Sequence, residues 1–324
     1  MGKPTAVVLF NLGGPDSLEA VEPFLFNLFS DPDIFKFPLG FVTQKWFARA
    51  ISRRRAPKAS IGYRAIGGKS PQLEITKNQA RALNQKLSDK GDYEVYVCMR
   101  YWHPMADAVV ATLKQNKIEN VILLPLYPQY SLTTTGSSYN DFQRACRRSN
   151  YRPKISFIKQ WYDDAGYQQA IVSTILAEAA RMPDPDPDNI ELLFSAHGLP
   201  QKIIDQGDPY EKQIRATIAS LNKILGWPRT TLCYQSRVGP LKWLQPYTHD
   251  TISKKARQGS KQILVYPVAF VSDHIETLYE LGTEYAEVAR EAGVESYRVV
   301  PALNASAGLI DTLQRLVLSQ AHAR

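Results

Sequence analysis

The stretch Ile190-Glu-Leu-Leu-Phe194, continued by Ser195-Ala-His197-Gly198, decides the fold of this 324-residue chain. A short apolar run that ends close to a glycine is typical of a strand buried on both faces. A second run, Gln262 to Phe270, ends just before Ser272-Asp273-His274. Each run therefore carries a titratable cluster at the end of a buried strand.

Runs of this kind recur along the whole chain, four in each half, and most are separated by helix-like stretches. The strand-like runs are Ala6 to Leu12, Tyr93 to Met99, Asn120 to Leu126, Ile155 to Gln160, Ile190 to Phe194, Thr230 to Cys233, Gln262 to Phe270 and Tyr297 to Val300. The helix-like stretches are Gln72 to Lys90, Ala106 to Lys117, Ala165 to Arg181, Glu211 to Leu225, Glu276 to Glu291 and Ala307 to Leu318. This alternation predicts an α/β protein with two four-stranded parallel sheets flanked by helices.

The proline-rich segment Met182 to Asp188 cannot continue a helix and carries no apolar surface. We therefore expect a domain boundary there, with residues 1–182 in the first domain and 183–304 in the second. The last helix, within 305–324, is expected to cross back onto the first domain.

The composition, 44% hydrophobic and 22% charged, is that of a globular protein with ordinary cores. Its net charge of +8 suits an acidic small molecule, an anionic lipid surface or a nucleic acid. The three cysteines have neither disulfide nor zinc-site spacing, which favours a reducing compartment. With no apolar run long enough to span a bilayer and no signal peptide, we expect a cytoplasmic protein in which peripheral membrane contact stays open.

Polar residues follow most of the strand-like runs. They are Asn11 to Gly14, Arg100 to His103, Tyr127 to Ser131, Ser195 to Gly198, Gln235 to Arg237 and Ser272 to His274. Open α/β sheets bind ligands beyond the carboxyl ends of their strands, so these residues predict a polar cleft lined from both halves. The Gly13-Gly14 turn matches neither of the common glycine-rich nucleotide motifs, and nucleotide binding is weakly supported.

Two features of the second half indicate proton or metal chemistry. His197 precedes a glycine turn, and a histidine there can accept a proton near neutral pH. On an α-helix, six carboxylates lie within about 80° of arc: Asp273, Glu276, Glu280, Glu284, Glu287 and Glu291. Such a stripe is either a solvated surface or a route for protons and cations, with Glu287 and Glu291 as plain surface. Histidine and carboxylate ligands suit a transiently held Fe²⁺, Zn²⁺ or Co²⁺.

Residues 24–58 form a basic and aromatic segment that we call the lip. Its aromatic and apolar members are Phe24, Phe26, Phe29, Phe35, Phe37, Leu39, Phe41, Trp46 and Phe47, and its basic members are Lys36, Lys45, Arg49, Arg53, Arg54, Arg55 and Lys58. The lip can receive a flat apolar ligand with acidic groups, contact a membrane surface, or be a helical hairpin with a basic outer face. Nucleic acid is less favoured because the basic residues do not follow a long stripe.

Several motifs, in order along nearly the whole chain, closely resemble the ferrochelatase family. They are Asn11-Leu-Gly-Gly-Pro15, Tyr63-Arg-Ala-Ile-Gly-Gly-Lys-Ser-Pro71, Arg100-Tyr101-Trp-His-Pro104, Tyr127-Pro-Gln-Tyr-Ser131, Thr133-Thr-Thr-Gly-Ser-Ser138, Ser195-Ala-His197-Gly-Leu-Pro200, Gly207-Asp-Pro-Tyr210, Gln235-Ser-Arg-Val-Gly-Pro240 with Trp243, and Ser272-Asp-His-Ile-Glu-Thr-Leu-Tyr279. The resemblance implies two Rossmann-like domains of the class II chelatase type. It also implies a lyase that inserts Fe²⁺ into protoporphyrin IX without ATP, giving protohaem and two protons, the terminal step of haem biosynthesis.

The same resemblance assigns roles to residues. His197 and Glu276 would be the catalytic and metal-binding pair, and Asp273, His274, Glu280 and Glu284 would form a proton or metal path. The residues expected to contact or border the porphyrin are Asn11, Leu12, Phe29, Tyr63, Arg100, Tyr101, Ser131 and Trp243.

Differences between this sequence and some members of the ferrochelatase family lead to further expectations. Leu132 occupies the internal cysteine position of the relatives with a [2Fe-2S] cluster, and the tail has no cysteine, so no such cluster and no other prosthetic group is expected. The short tail favours a monomer, and Leu12 favours protoporphyrin over coproporphyrin. The alternatives are a coproporphyrin ferrochelatase, another tetrapyrrole chelatase such as one inserting cobalt into sirohydrochlorin, and a carrier of haem or metal without turnover.

Overall fold

The computed structural model describes residues 4–35 and 40–322. Its first sheet contains the strands β1 (Thr5–Asn11), β2 (Tyr93–Met99), β3 (Asn120–Pro125) and β4 (Lys154–Phe157), and its second sheet contains β5 (Ile190–His197), β6 (Thr230–Gln235), β7 (Gln262–Pro267) and β8 (Ser296–Val299). The strand orders are β2-β1-β3-β4 and β6-β5-β7-β8, and every pairing is parallel. The predicted class is confirmed, with two four-stranded parallel sheets flanked by helices.

The helices lie between the strands, as alternation requires. They are α1 (Val21–Phe29), α2 (Gly40–Ala65), α3 (Gln72–Leu87), α4 (Ala106–Gln115), α5 (Ser137–Arg148), α6 (Ala165–Ala179), α7 (Gln201–Asp205), α8 (Tyr210–Leu225), α9 (Thr248–Arg257), α10 (Tyr285–Glu291) and α11 (Ala307–His322), with π-helices at Leu132–Gly136 and Glu276–Glu284. Local sequence sets several of their ends. The Asp164 carboxylate caps α6 by accepting from the Tyr167 amide at 2.9 Å, and Gly226 ends α8 in the left-handed conformation.

The central strands form the core of each sheet because helices cover both of their faces. All of β7 is buried, and so is β5 except for its last residue, His197. This burial explains why the sequence of these strands is continuously apolar rather than alternating. The parallel register places His197 directly beside Gln235, so that the ends of β5 and β6 lie together.

The chain divides into two compact units, Met1–Gln160 with Ala305–Arg324, and Trp161–Asn304. The sequence placed the boundary about a helix later, at Met182 to Asp188. The difference arises because α6 belongs with the second unit: Ser220 in α8 donates to the Gln168 side chain at 2.6 Å, and Arg298 pairs with Glu178. A linker composition therefore marked a loop inside the second unit instead of the boundary.

The last helix, α11, lies with the first unit. Asp311 pairs with Lys86 at 2.8 Å, and the Gln314 side chain donates to the Lys86 carbonyl at 2.6 Å. Both contacts join α11 to the end of α3 within that unit.

The lip contains two helices that pack on each other, α1 and α2. The guanidinium groups of Arg49 and Arg55 lie over the rings of Phe26 and Phe29, each 5.7 Å from the ring centre. The helical-hairpin interpretation of the lip therefore agrees with its structure. Lys36, Phe37 and Leu39 lie outside the described residues, as does the side chain of Phe41. Across the described ranges, 4–35 and 40–322, the structure contains no helix with both the length and the apolar character needed to cross a bilayer.

Candidate active site

A histidine–carboxylate pair forms the centre of the candidate site in the second unit. His197 is the last residue of β5, Glu276 is the first residue of the π-helix, and His197 Nδ1 lies 2.8 Å from Glu276 Oε2. A carboxylate only accepts hydrogen bonds, so Nδ1 carries the proton. The lone pair of the neutral ring is therefore on Nε2, which has no hydrogen-bond partner among residues 4–35 and 40–322.

Aromatic rings surround this imidazole. The rings of Trp243 and Phe270 lie 6.5 and 6.2 Å from that of His197, both in edge-to-face orientation. The Tyr210 hydroxyl donates to the His197 carbonyl at 2.9 Å. Gly198 completes the turn because a β-carbon there would lie 2.9 Å from the Gln235 carbonyl, so any larger residue would force the strand ends apart.

The two members of the pair shift each other's pKa in opposite directions. Burial alone would lower the pKa of His197, but the charge and hydrogen bond of Glu276, with a smaller contribution from Glu280, raise it above its ordinary value. Burial would likewise raise the pKa of Glu276, yet His197 and, to a lesser degree, His274 hold it well below its ordinary value. The carboxylate therefore stabilises the imidazolium that forms when the ring takes up a proton.

Glu280, one π-helical turn further along, joins this pair through Ser236. The Ser236 hydroxyl lies 3.0 Å from Glu276 Oε2 and 2.5 Å from Glu280 Oε2, and the Ser236 amide donates to Glu280 Oε1 at 2.8 Å. The Tyr285 hydroxyl also donates to Glu280 Oε1 at 2.8 Å. Burial and the charge of Glu276 raise the pKa of Glu280, against the hydrogen bonds from Ser236 and Tyr285.

Two other residues of the expected path, His274 and Asp273, have different surroundings. His274 is buried with Nδ1 3.2 Å from the Ser272 carbonyl, Nε2 3.8 Å from Glu276 Oε2, and its ring 4.2 Å from that of Phe270. It therefore lies beside the pair.

Asp273 instead holds the neighbouring loop. Its carboxylate accepts from the Asn304 side chain at 2.7 Å, from Thr277 at 3.0 Å and from the Ala302 amide at 3.2 Å. With every one of these donors supplied by the protein, Asp273 acts as a loop anchor in this conformation. Its predicted place in a proton or metal path stays a prediction.

The acidic stripe differs from the predicted arrangement because residues 276–284 form a π-helix. A π-helix has more residues per turn than the α-helix assumed from the sequence. Glu276 and Glu280 face Ser236 together, whereas Glu284 is exposed. Further along, Glu287 pairs with Arg290 at the surface. The stripe therefore contains two inward carboxylates followed by exposed ones.

The expected porphyrin contacts of the first unit include two residues held inside that unit. The buried Tyr101 hydroxyl donates to the buried Asp31 carboxylate at 2.6 Å. Arg100 pairs with the same carboxylate at 2.9 Å, donates to Ser137 at 2.6 Å and approaches Asp141 at 3.5 Å. A carboxylate that the sequence did not single out, Asp31, therefore fixes both side chains.

The other expected porphyrin contacts range from buried to half-buried. Asn11 is buried and exchanges hydrogen bonds with Thr76 and Gln72 at 3.0 and 3.1 Å. Phe29, Tyr63, Ser131 and Trp243 are also buried, whereas Leu12 is half-buried. The predicted contact of these residues, and of Arg100 and Tyr101, with a porphyrin stays a prediction.

No group of three or more His, Cys, Asp or Glu side chains within the described ranges has the arrangement of a metal site. The three cysteines are buried and unpaired with one another. The expected metal contact is thus assigned to a two-residue pair, His197 and Glu276, which stays a prediction.

The sequence profile described as Ferrochelatase matches residues 4–321. The chain belongs to the ferrochelatase family. It is similar to a ferrochelatase from Gloeothece citriformis (strain PCC 7424), with 45% identity over 324 residues that cover 98% of this chain and 83% of the relative. A ferrochelatase from Geotalea uraniireducens (strain Rf4) is 46% identical over 317 residues, covering 98% of each chain.

Solved structures show the same fold at much lower sequence identity. SirB from Bacillus subtilis with Fe³⁺ superposes with a TM-score of 0.57 at 9% identity, covering 98% of this chain and 96% of SirB. The sirohydrochlorin chelatase SirB from Bacillus subtilis subspecies spizizenii in complex with cobalt gives a TM-score of 0.55 at 8% identity, with the same coverage. The chelatase-like fold expected from the sequence is confirmed. As a member of the ferrochelatase family, the chain is a metal-chelating enzyme that inserts iron into a porphyrin to make haem.

The histidine–carboxylate pair at the centre of the candidate site predicts a pKa change. In Glu276→Gln the charge that raises the pKa of His197 is gone while its burial remains, so the pKa of His197 should fall below the wild-type value. Nitrogen NMR of the imidazole across a pH titration measures this. The signals of His249, an exposed histidine next to Asp250, serve as the internal reference for the spectra. An unchanged or raised pKa of His197 in the variant would contradict this electrostatic account.

Proposed function

We propose that this chain inserts Fe²⁺ into protoporphyrin IX to give protohaem and two protons, without ATP, and that His197 is the base. The observation that carries this proposal is the 2.8 Å contact between His197 Nδ1 and Glu276 Oε2. It holds the ring as the tautomer whose Nε2 can accept a proton. The pyrrole nitrogens of the porphyrin must lose two protons before or during metal entry, and a lone pair of this kind is what their removal needs.

Proton removal at His197 follows from the electrostatics of the pair. When Nε2 takes a pyrrole proton, the ring becomes an imidazolium, and the Glu276 carboxylate stabilises that charge at Nδ1. This stabilisation appears as the raised pKa of His197. The proton must then leave before the ring can accept the second one. The neighbouring carboxylates of Glu276 and Glu280 offer acceptors for it.

Iron is a substrate that must pass on to the porphyrin, so strong permanent ligands would oppose the reaction. Two ligands, one imidazole and one carboxylate, suit Fe²⁺ and hold it loosely. Glu276, with its pKa held well below the ordinary value, stays ionised for this role across the neutral range. The absence of a [2Fe-2S] cluster and the preference for protoporphyrin remain part of this proposal. They rest on Leu132 and on Leu12, respectively.

The test of the proposed function is product formation by the purified chain. Under anaerobic conditions with protoporphyrin IX and Fe²⁺, we expect the visible spectrum of free porphyrin to change to that of haem. Parallel reactions contain coproporphyrin with Fe²⁺, sirohydrochlorin with Co²⁺, or no protein. Faster turnover of coproporphyrin or sirohydrochlorin would favour those alternatives. Stable haem or porphyrin binding without turnover of any tetrapyrrole would favour a carrier.

We also propose peripheral contact between the lip and an anionic membrane surface, with the chain otherwise in the cytoplasm. Supporting this, the Trp46 side chain on α2 is 66% exposed and Ile61 is 55% exposed on a helix rich in arginine. Exposed apolar side chains among cationic ones are typical of helices that lie on anionic lipid surfaces. Flotation of the chain with anionic and neutral vesicles tests this contact.

A further inference from the structure

The carbonyl of His197 lies just beyond the end of the parallel ladder between β5 and the β7 segment. The last rung is the Val268 amide, which donates to the Ser195 carbonyl at 3.0 Å. Because parallel pairing repeats every two residues, the next rung would join the Phe270 amide to the His197 carbonyl. The Phe270 amide donates instead to the Pro267 carbonyl at 3.1 Å. The ladder therefore leaves the His197 carbonyl to be satisfied by another group.

A tyrosine hydroxyl supplies that hydrogen bond. The Tyr210 hydroxyl donates to the His197 carbonyl at 2.9 Å, and Tyr210 is buried. A buried carbonyl without a partner loses its hydrogen bonds to water and gains nothing in return, so this contact stabilises the end of β5.

The motif Gly207-Asp-Pro-Tyr210 places the hydroxyl. Gly207 has a φ of +95°, a conformation that glycine adopts without strain, and the Asp208 carboxylate accepts from the Tyr210 amide at 3.0 Å. Tyr210 is also the first residue of α8, which fixes its backbone further. The proposed function assigns this motif no part. Its structure brings Tyr210 to a carbonyl 13 positions earlier in the chain.

The hydrogen bond from Tyr210 fixes one end of a single peptide group. At the other end of that group, the Gly198 amide donates to the Gln235 carbonyl at 2.9 Å. A peptide group is planar, so hydrogen bonds on its two opposite edges set the orientation of its plane. The preceding residues of β5 hold His197 from the other side. The direction of its Cα–Cβ bond is therefore fixed without any contact to the imidazole itself.

We propose that Tyr210 is a positioning residue that aims the imidazole of His197. The ring is held at two points, at its β-carbon by this peptide group and at Nδ1 by Glu276 Oε2, 2.8 Å away. Together these points define the direction of the Nε2 lone pair. The inference rests on the proposed function, in which that lone pair takes the pyrrole protons. Tyr210 takes no part in proton transfer and acts only through His197.

The experiment begins with Tyr210→Phe, which removes the hydroxyl and keeps the ring that packs in the second unit. We expect kcat for iron insertion to fall by about 10-fold, less than the loss of about 10²-fold that a 1 Å misplacement of a reacting group can cause. KM for porphyrin should be unchanged. Rates are expressed per porphyrin-binding site, measured by fluorescence quenching, so that unfolded protein does not enter the comparison.

A double-mutant cycle shows whether the hydroxyl acts through His197. His197→Ala keeps the backbone carbonyl that Tyr210 contacts and removes the imidazole. With no imidazole to aim, Tyr210→Phe should cause no further loss in the residual rate of His197→Ala, taken after subtraction of the rate without protein. A general effect on the fold would lower the rate by the same factor in both backgrounds, and that result would overturn the inference.

Tyr151→Phe is the matched control. The Tyr151 hydroxyl also donates to a backbone carbonyl, that of Ile118, at 2.8 Å, but it lies in the first unit. This variant should have the kcat and KM of wild type. Equal losses of kcat in the two tyrosine variants would show that the contact at His197 is not special, and the inference would be wrong.

The other outcomes separate the inference from the proposed function. Active wild-type protein with a wild-type kcat in Tyr210→Phe would overturn the inference alone, as would a higher KM at unchanged kcat. A Tyr210→Phe variant that binds no porphyrin would make the hydroxyl a requirement of the fold, which also contradicts the inference. Wild-type protein that inserts no metal into any tetrapyrrole would overturn the proposed function, and the inference with it.

Discussion

His197→Ala should retain porphyrin binding and lose metal insertion, with kcat lower by about 10²- to 10⁴-fold, the range that positioned acid–base groups contribute. The substitution removes the imidazole whose Nδ1 is hydrogen-bonded to Glu276, and with it the lone pair on Nε2. It leaves Glu276 in contact with Ser236, so the surrounding hydrogen bonds persist. Stopped-flow insertion rates, together with porphyrin affinity from fluorescence quenching, separate the two effects.

His249→Ala is the matched control for this loss. His249 also lies beside a carboxylate, Asp250, at 3.1 Å, but both side chains are more than half exposed. It lies in α9, so its removal tests whether any histidine–carboxylate pair of the second unit matters. A His197→Ala enzyme that still turns over at the rate of His249→Ala would remove His197 from the mechanism.

Asp31→Ala should destabilise the protein by about 3–5 kcal/mol, because removing one partner of a buried ion pair leaves the other charge uncompensated. The Asp31 side chain is fully buried, and that of Arg100, its partner at 2.9 Å, is only 11% exposed. The same change deprives the Tyr101 hydroxyl of its acceptor. Urea unfolding, followed by circular dichroism, measures the loss of free energy.

Asp107→Ala supplies the comparison for an exposed pair. Asp107 contacts Arg148 at 2.7 Å, but the two side chains are 68% and 53% exposed. Solvent screens such pairs, so we expect a change within about 1 kcal/mol. Equal losses for the two aspartate variants would show that burial of the Asp31 network contributes nothing. Asp31→Asn should lie between them, since an amide keeps a hydrogen-bond acceptor but not the charge.

Strand and helix order was readable from sequence because each element carries its own pattern. The predicted strand Tyr93 to Met99 matches β2 residue for residue, and its neighbours differ by a few residues at their ends. The end of Gln262 to Phe270 was placed too late, because β7 stops at Pro267. Pro267 has no amide to donate. The Val268 amide still donates to the Ser195 carbonyl of β5 at 3.0 Å, and the chain then turns, with the Phe270 amide donating to the Pro267 carbonyl at 3.1 Å.

Two other features could not be predicted from the local sequence pattern. The helical repeat of residues 276–291 predicted one α-helix, but the first nine residues form a π-helix. A wider helix and an α-helix place apolar residues at similar spacings over so short a length. The role of Asp31 could not be predicted either, because an aspartate in a polar loop is common. Only the structure shows that Arg100, Tyr101 and Ser137 all contact its carboxylate.

By itself, the sequence determined the α/β class, the family and the two strand ends that carry His197 and the Glu276 segment. These depend on patterns within a few consecutive residues and on motifs that retain their order. Only the tertiary structure decided that His197 meets Glu276, 79 positions away, that Ser236 bridges Glu276 to Glu280, and that α6 packs with the second unit. Parallel pairing through crossover helices brings such distant residues to one edge, and which side chains then touch depends on register and helix width.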